Sequence, residues 1–447
     1  MLKSSLSALL VVLAVAVCAS AQDVEVDRFT VSASIDPAQS ALDARASIAI
    51  TNLGQSPKSR IYLRLTRLAK ISSITVGGAP ARFDLSDDHR VTTLSQVVVS
   101  PQTPVAAGGK AVIDVSYRIE APESTPLIAI YPGEVLMLPD SVWVPAPSTA
   151  FTMYGAPTAP FTLSVKVPAG YSAASSGALK SDAAAQGFTF EQPLNSLPFI
   201  VSGRMEHIPD PKATAGVKIE FHLQSGLIES QSEQAANGRL RSIYDEVGRM
   251  VDFYSRMFGP LPAGTTFRII SSARTGHVAV PGAVVLEEQT FRQESLDAIT
   301  VERLADAVAR MWTDCRVRLR GREARSAQGD RPAVEARSAA FLRDSLPRFL
   351  AVLYIEDRFG KDAAEDAFTR QRWSYTPVAK SARDAELGIQ TPLIATYSAA
   401  VYGKGPLVFR LMAETAGREK FIAALRELFS GAQTSIVTTD DLRQSLV

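Results

Sequence analysis

The sequence predicts an α+β protein, in which an antiparallel β-sandwich or saddle-shaped domain precedes a small sheet and a helix bundle. Three observations support this class. Short runs of alternating apolar and polar residues fill the first half of the chain. Segments with helical spacing of apolar residues dominate the second half. The 447 residues, of which 46% are hydrophobic, are enough for two cores and exclude a disordered or collagen-like chain.

The first 21 residues have the three parts of an export signal. Lys3 supplies a positive charge, Leu9–Val17 is an apolar core, and Ala19–Ala21 is a small-residue cleavage site. The apolar core is shorter than the roughly 20 residues that a transmembrane helix needs. No later stretch is long and apolar enough to span a membrane. We therefore expect cleavage after Ala21 and a periplasmic or secreted protein without a transmembrane segment.

Residues 22–210 are predicted to form the N-terminal β domain. Runs of period two are typical of antiparallel sheets with one buried face, and glycine pairs such as Gly77-Gly78 and Gly108-Gly109 separate them as turns. The clearest runs are Phe29–Ile35, Ala46–Ile50, Arg60–Leu65, Ser73–Val76, Ala111–Tyr117 and Phe161–Val167.

Residues 211–447 are predicted to form the second domain. Val217–Leu223 and Phe267–Ile270 are predicted strands, and Ala324–Ala333 is predicted to be a polar insertion. The predicted helices are Glu233–Phe258, Thr300–Trp312, Ala339–Phe359, Lys361–Phe368, Pro392–Thr415 and Glu419–Phe429. A sheet followed by several helices is typical of an α+β domain.

The charge balance argues against a nucleic-acid partner. The chain has 47 basic and 46 acidic residues, and removal of Lys3 with the signal would leave 46 of each. A neutral chain lacks the basic surface that nucleic-acid binding needs. Of the two cysteines, Cys18 lies in the signal, so only Cys315 would remain and no internal disulfide is expected.

Four motifs follow one another in the second domain. They are Gly276-His-Val-Ala-Val-Pro-Gly282, Leu304–Trp312, Phe341–Leu350 and Tyr402-Gly-Lys-Gly405. In this order they resemble motifs of the zinc aminopeptidases of the aminopeptidase N and leukotriene hydrolase group. The resemblance implies a β-saddle domain followed by a thermolysin-like domain. It also implies that the C-terminal helical domain of many members is absent.

The first and last motifs differ in how much they retain. Between Gly276 and Gly282, the family has a Glu that binds the free amine of the substrate, and Ala279 takes its place. A methyl group cannot pair with an ammonium ion. In contrast, Tyr402 matches the tyrosine that stabilises the oxyanion in active members.

The zinc-binding motifs are substituted. When the helix is aligned on Trp312, Asp306 and Arg310 lie at the two zinc-ligand histidines of the family. Ala307 lies at its general base, and Asp344 lies at the third ligand. Zinc ligation needs lone pairs, which Arg lacks, and Ala cannot accept a proton. Arg310 is instead predicted to supply the positive charge and to pair with Asp306 and Asp344 in a bidentate manner.

No other metal site is visible in the linear sequence. No two of the four histidines have the i, i+4 spacing of a zinc helix, and ordinary surface or hydrogen-bonded core positions are expected for them: His89, His207, His222 and His277. We therefore expect no cofactor and no metal.

Three functions agree with these observations. The favoured hypothesis is an exported, non-catalytic protein that binds a peptide or partner protein in the residual cleft. The first alternative is an active metallo-aminopeptidase that cleaves N-terminal peptide bonds with nonstandard ligands, and Asp306, Asp344 and Tyr402 would support it. The second alternative is a structural subunit of an envelope assembly.

Overall fold

The structure is a computed structural model that describes residues 24–446, apart from 89–90, 148–155, 183–185, 211, 228–232, 275, 294, 321, 329–330, 338, 382–386, 388–393 and 432–434. The predicted export signal (1–21), its cleavage site and His89 lie outside the described residues. None of the described helices is both long enough and apolar enough to cross a bilayer.

The N-terminal region consists of β-strands. They are β1 (Val24–Asp36), β2 (Ala41–Asn52), β3 (Ile61–Thr66), β4 (Ala69–Val76), β5 (Ala79–Pro80), β6 (Arg82–Asp87), β7 (Leu94–Ser100), β8 (Lys110–Glu120), β9 (Ile128–Tyr131), β10 (Glu134–Met137), β11 (Ala146–Pro147), β12 (Ala159–Lys166), β13 (Ser172–Ala174), β14 (Ala178–Asp182), β15 (Gly187–Ser196) and β16 (Ile200–Gly203).

These strands form three sheets around one core. An eight-stranded sheet has the order β14-β15-β12-β1-β2-β8-β4-β5, and its apolar face packs with the sheets β11-β3-β7-β6 and β13-β16-β10-β9. Alternate residues of β1, such as Phe29 and Val31, are 1% exposed, as the period of two requires. Neighbouring described strands are antiparallel, except that β1 and β12 pair in parallel, which the alternation alone did not reveal.

A predicted glycine turn closes the hairpin of β4 and β5. Val76 pairs with Ala79, so that Gly77 and Gly78 are the two residues of the loop. Both have positive φ angles, 58° and 82°. A two-residue hairpin loop of this kind needs left-handed residues, which explains the choice of glycine.

The second region combines one sheet with helices. Its elements are β17 (Met205–Ile208), β18 (Lys218–Gln224), α1 (Glu233–Phe258), β19 (Thr266–Ser272), β20 (Val278–Val280), β21 (Ala283–Glu287), α2 (Ala298–Thr313), β22 (Arg318–Leu319), β23 (Arg322–Gln328), β24 (Arg331–Arg337), α3 (Leu346–Phe359), α4 (Lys361–Ser381), α5 (Ile394–Ser398), α6 (Gly405–Ala416), α7 (Arg418–Leu428), β25 (Ile436–Val437) and α8 (Thr439–Ser445). π-helical turns at Phe341–Ser345 and Ala399–Lys404 precede α3 and α6.

Two elements differ from the sequence prediction. The predicted insertion at Ala324–Ala333 lies in the hairpin of β23 and β24. Helix α4 continues to Ser381, well beyond the predicted end at Phe368. The extension is anchored because Gln371 is buried and donates to the carboxylate of Glu302 on α2.

The five-stranded sheet β17-β18-β19-β21-β20 lies between the two regions. Its inner strands β18, β19 and β21 are parallel. One face, including Phe221 and Ile269, packs on the helices, whereas the other face, including Ile270 and Val285, packs on the N-terminal strands. The predicted boundary at residues 210 and 211 falls within the β17–β18 hairpin. The α+β prediction, with a β domain preceding a sheet and helices, is confirmed.

Candidate functional site

A cleft of about 420 Å³ opens between the N-terminal strands and the second region. Leu127, Asp140 and Thr158 line it from the N-terminal side, and strand β20 lines it from the sheet. The helical side contributes a charged wall, which consists of Arg310, Asp314, Arg343, Asp344, Tyr397 and Tyr402. The cleft therefore brings together the later three sequence motifs and the strand of the first.

Helix α2 positions the first part of this wall. The helix begins after Asp297, whose carboxylate accepts a hydrogen bond from the Thr300 backbone N–H at 2.7 Å. Asp306, Arg310 and Asp314 follow at intervals of four and therefore share one helix face. All three are almost fully buried. This face meets the π-helical turn that carries Asp344.

Arg310 is surrounded by carboxylates. Its Nη1 lies 3.2 Å from Asp314 Oδ2 and 3.7 Å from Asp344 Oδ1, and its Nη2 lies 3.7 Å from Asp306 Oδ1. Only the Asp314 contact is a hydrogen bond, so the predicted bidentate pairing with Asp306 and Asp344 is not present. Although burial opposes charge, the three carboxylates raise the pKa of Arg310. Arg310 is thus a permanent cation at the cleft wall.

Asp344 has a second cation and a tyrosine as partners. Arg343 Nη2 donates to Asp344 Oδ2 at 2.9 Å, and the Tyr397 hydroxyl donates to the same oxygen at 2.6 Å. Burial favours the neutral acid, but the Arg343 guanidinium, its hydrogen bonds and Arg310 hold the pKa of Asp344 below its usual value. Asp344 is therefore a carboxylate whose charge is already compensated.

The pKa of Asp314 is raised, in contrast to that of Asp344. Burial raises its pKa to about 6, against the lowering effects of Arg310 and of a hydrogen bond from the Thr313 hydroxyl. Burial thus outweighs the ion pair, because a buried carboxylate loses more hydration than one neighbouring cation restores. The wall consequently contains one carboxyl group whose pKa, about 6, lies well above that of an ordinary aspartate.

The glycines beside Tyr402 are explained by close packing. A Cβ at Gly405 would overlap the side chain of Ser345, and a Cβ at Gly403 would overlap the Ser374 hydroxyl. The Ser345 hydroxyl also donates to the Val401 carbonyl at 2.6 Å. Because the two π-helical turns approach so closely here, Tyr402 is held at the cleft in contact with the segment of Asp344.

Tyr402 itself is unlike a free phenol. The charge of Asp344, together with burial, raises the pKa of its hydroxyl. The guanidinium of Arg348 lies over its ring at 5.2 Å from the centroid. Tyr402 therefore lines the cleft as a neutral phenol.

Asp140 approaches the cleft from the N-terminal domain. It lies in a single 3₁₀ turn, Pro139–Ser141, where it is exposed and lines the cleft. Desolvation by the cleft walls raises the pKa of its carboxyl group, and the charge of Asp344 adds to this rise, whereas Arg343 and Arg310 act in the opposite direction. Asp140 was not predicted from the sequence, because no motif marks a single acid after a proline.

Strand β20 carries the predicted amine-binding motif. Ala279 lines the cleft, and Gly276 precedes the strand. Gly282 turns the chain into β21 with φ of 87°, and a Cβ there would crowd the side chains of Ser176 and Gln192. Burial and nearby guanidinium groups lower the pKa of His277 to about 3, so this ring is neutral.

The wall of the cleft does not fit a zinc ion. Arg310 has no lone pair and its charge repels a cation. Ala307 is fully buried and presents only a methyl group. The carboxylates of Asp306 and Asp344 lie next to guanidinium groups rather than around an open position.

A set of metal-ligating side chains lies elsewhere, on the β17–β18 hairpin. His207 and His222 are direct cross-strand partners, and Glu220 lies two residues before His222 on the same face. Their donor atoms all lie within 4.8 Å of one another. The three residues are called the His-Glu-His cluster below.

The cluster is anchored on one side by Arg268 of β19. Both Nε and Nη2 of Arg268 lie 3.1 Å from Glu220 Oε2, and His207 Nε2 lies 3.5 Å from the same oxygen. Despite burial, His207 and Arg268 lower the pKa of Glu220. Burial, with Arg268 and His207, lowers the pKa of His222 well below its usual value. Glu220 is therefore ionised while His222 is neutral.

Solved structures of zinc peptidases share the fold. The chain is similar to the M1 zinc metallopeptidase from Deinococcus radiodurans, with 18% identity over 95% of this chain and 93% of that one, at a TM-score of 0.66. A mutant of that enzyme bound to a Tyr-Ser-Ala substrate gives 17% identity, the same coverage and a TM-score of 0.66. Yeast LTA4 hydrolase gives 14% identity over 95% of this chain and 64% of that one, at a TM-score of 0.71. No protein-family model and no curated sequence matches the chain.

These similarities confirm the aminopeptidase N and leukotriene hydrolase type of fold. The prediction that the chain uses no cofactor or metal is wrong. The structures that share the fold are zinc metallopeptidases, and the fold assembles the His-Glu-His cluster from residues that have no metal-site spacing along the sequence. The physical reason is that strand pairing, not a helix turn, brings His207 and His222 together.

Proposed function

We propose that this chain is an exported, non-catalytic protein of the aminopeptidase fold that binds the end of a peptide in its cleft. The observation that carries the proposal is the position of Arg310. Its guanidinium lies among three carboxylates at the cleft wall, and Ala307 beside it offers no base. Asp306, Ala307, Arg310 and Asp344 are proposed to be the counterparts of the family's catalytic and zinc-binding positions.

The cleft has the shape and chemistry for an extended peptide. Strand β20 lies at the edge of its sheet, where it pairs with β21 alone among the described strands, and its residues line the cleft. We propose that a peptide adds to this edge as a further strand. Leu127, Val278 and Val280 supply an apolar surface for a side chain. The Tyr-Ser-Ala peptide bound by the Deinococcus enzyme mutant supports a peptide as the class of ligand.

Asp140 gives the cleft a preference for a positive group. Asp314 and Asp344 are within ion-pair distance of Arg310, but no described side chain hydrogen-bonds Asp140. A carboxylate with a pKa raised by burial is stabilised when a cationic ligand enters. We therefore propose that Asp140 receives the amino end of the peptide or a basic side chain.

Binding of the Tyr-Ser-Ala peptide tests the proposal. Calorimetric titration of the mature protein should show saturable binding, and Asp140→Asn should weaken it about tenfold or more, because a charge-assisted contact contributes roughly 1.5–3 kcal/mol. Asp252→Asn, which removes an exposed acid on α1, is the matched control and should leave the affinity unchanged. Equal affinities of the wild type and the Asp140 variant would contradict the proposed role.

Export is tested separately. Sequencing the N-terminus of the protein secreted by its own cells should give Gln22 as the first residue. A mature chain that still begins at Met1 would contradict the proposed export signal.

A further inference from the structure

His222 is a buried residue whose polar atoms lack partners. Its side chain is 1% exposed, and within the described part of the chain neither Nδ1 nor Nε2 has a hydrogen-bond partner. Leaving a buried polar group unsatisfied costs about 1–3 kcal/mol. A neutral imidazole always has one nitrogen lone pair, and here it is directed at neither a donor nor solvent. A bound ligand would account for these unpaired nitrogens.

The neighbours of His222 are the side chains that metal ions prefer. On the partner strand His207 stacks on His222, with ring centroids 4.5 Å apart. Glu220 completes the set on the same strand. The contacts of Arg268 and His207 with Glu220 are at Oε2, and among the described residues no hydrogen bond or ion pair at Oε1 is present. One carboxylate oxygen thus remains available.

We propose that His207, Glu220 and His222 bind a divalent transition-metal ion of the zinc class, at a site separate from the cleft. Two imidazoles and one carboxylate suit zinc and its neighbours among the transition metals, whereas calcium and magnesium require sets of oxygen ligands. The fourth position faces outward beside His207, whose side chain is 35% exposed, so that an ion can enter and retain a water.

The geometry requires only local adjustment. Tetrahedral zinc bonds of about 2.0–2.1 Å place neighbouring donor atoms roughly 3.3 Å apart. One donor atom from each of the three residues already lies within 4.8 Å of the other two. The two rings are nearly parallel, with 19° between their planes, so one ring must turn about χ2 to direct its nitrogen at the ion.

Arg268 acts as a positioning residue for this site. It is 1% exposed, and its Nη1 donates to the backbone carbonyls of Ser175, at 2.7 Å, and of Gly177 in the N-terminal domain. Its contacts with Glu220 Oε2 fix the carboxylate and leave Oε1 for the metal. Its positive charge also opposes a cation, which limits the affinity relative to a site without an arginine.

The proposed metal site lies where the chain passes from the N-terminal domain into the second domain. Strand β17 follows directly after β16 of the N-terminal domain, and β18 begins the parallel part of the second sheet. A metal bridging His207 to Glu220 and His222 would therefore fasten the connection between the two domains. Binding should raise the melting temperature in proportion to the logarithm of the zinc concentration.

Zinc titration of the full mature chain, without a histidine tag, tests the proposal. Calorimetry with ZnCl₂ and NiCl₂ should give one ion per chain, and CaCl₂ should give no binding. His207→Ala and Glu220→Gln should each weaken zinc binding at least about tenfold, since loss of even an outer partner of a metal ligand has this effect. Circular dichroism confirms that each variant is folded, and His207→Ala changes a partly exposed position.

Two control variants test whether zinc binds at the His-Glu-His cluster and not at acidic residues elsewhere. Glu206→Gln alters the opposite face of the same strand, and Asp344→Asn alters the cleft. Both should bind zinc like the wild type. The proposal is overturned if the wild type binds no zinc, if His207→Ala and Glu220→Gln keep the wild-type affinity, or if Asp344→Asn abolishes binding. None of these outcomes depends on whether the cleft binds a peptide.

Discussion

Replacing Arg310 by alanine should strongly destabilise the protein. Arg310 is 7% exposed, and it compensates Asp306, Asp314 and Asp344 at distances of 3.2–3.7 Å. Its Nη1 also donates to the Arg343 carbonyl at 3.1 Å. Arg343 and Arg348 would remain, which leaves two cations for three carboxylates. One uncompensated buried charge costs about 3–5 kcal/mol.

The size of this loss should depend on pH. The pKa of Asp314 is already about 6 in the folded wild type, and loss of Arg310 removes a lowering influence and raises it further. At pH 5 Asp314 of the variant is protonated, so fewer charges lack a partner than at pH 8. The destabilisation should therefore be larger at pH 8 than at pH 5.

Urea unfolding, followed by circular dichroism at both pH values, measures this loss as a difference in the free energy of unfolding. Arg310→Met is the control that retains most of the packing and removes only the charge, and it should be destabilised nearly as much. Arg418→Ala, which breaks an exposed ion pair with Glu356, should cost less than about 1 kcal/mol. A loss below about 1 kcal/mol for Arg310→Ala at pH 8 would refute the charge-cluster account.

Three further predictions concern the cleft wall and its support. Gly405→Ala should cost about 1–3 kcal/mol in urea unfolding, because the new methyl group meets Ser345; an unchanged midpoint would contradict the close packing. In the wild type, Asp314 lowers stability as pH rises from about 4 to 6, since its folded pKa exceeds its unfolded value. In thermal melts at a series of pH values, Asp314→Asn should remove this fall in stability between about pH 4 and 6. The same fall in the variant and the wild type would contradict the raised pKa of Asp314. Trp312→Phe should cost at least about 1 kcal/mol through the lost 2.8 Å bond to the Gly259 carbonyl; unaltered stability would argue against that bond.

The helical part of the wall was largely predictable from the sequence. A spacing of four residues on an amphipathic helix places Asp306 and Arg310 on one face, whatever the fold. Asp314 continues the same spacing and could have been found by extending the pattern by one turn. Arg343 and Tyr397 were not predictable in this way, because their contacts with Asp344 depend on the π-helical turns.

The strand-borne features show where sequence reasoning stops. The alternation of apolar and polar residues located most strands. It could not predict that β1 pairs in parallel with β12, because it shows which face of a strand is buried and not which strand lies beside it. The His-Glu-His cluster was missed for the same reason. Glu220 and His222 alternate on one strand, but His207 joins them only through the register of β17 with β18. His222 was expected to be hydrogen-bonded if buried, and it lacks such a partner among the described residues.

The turnover of Tyr-Ser-Ala tests the central claim most directly. The mature wild-type protein is incubated with the peptide, with added zinc and with a chelator, and the products are followed by mass spectrometry. We expect the peptide to be bound and recovered intact under both conditions. Release of free tyrosine that is lost with the chelator, and abolished by Tyr402→Phe, would contradict it and establish an active metallo-aminopeptidase.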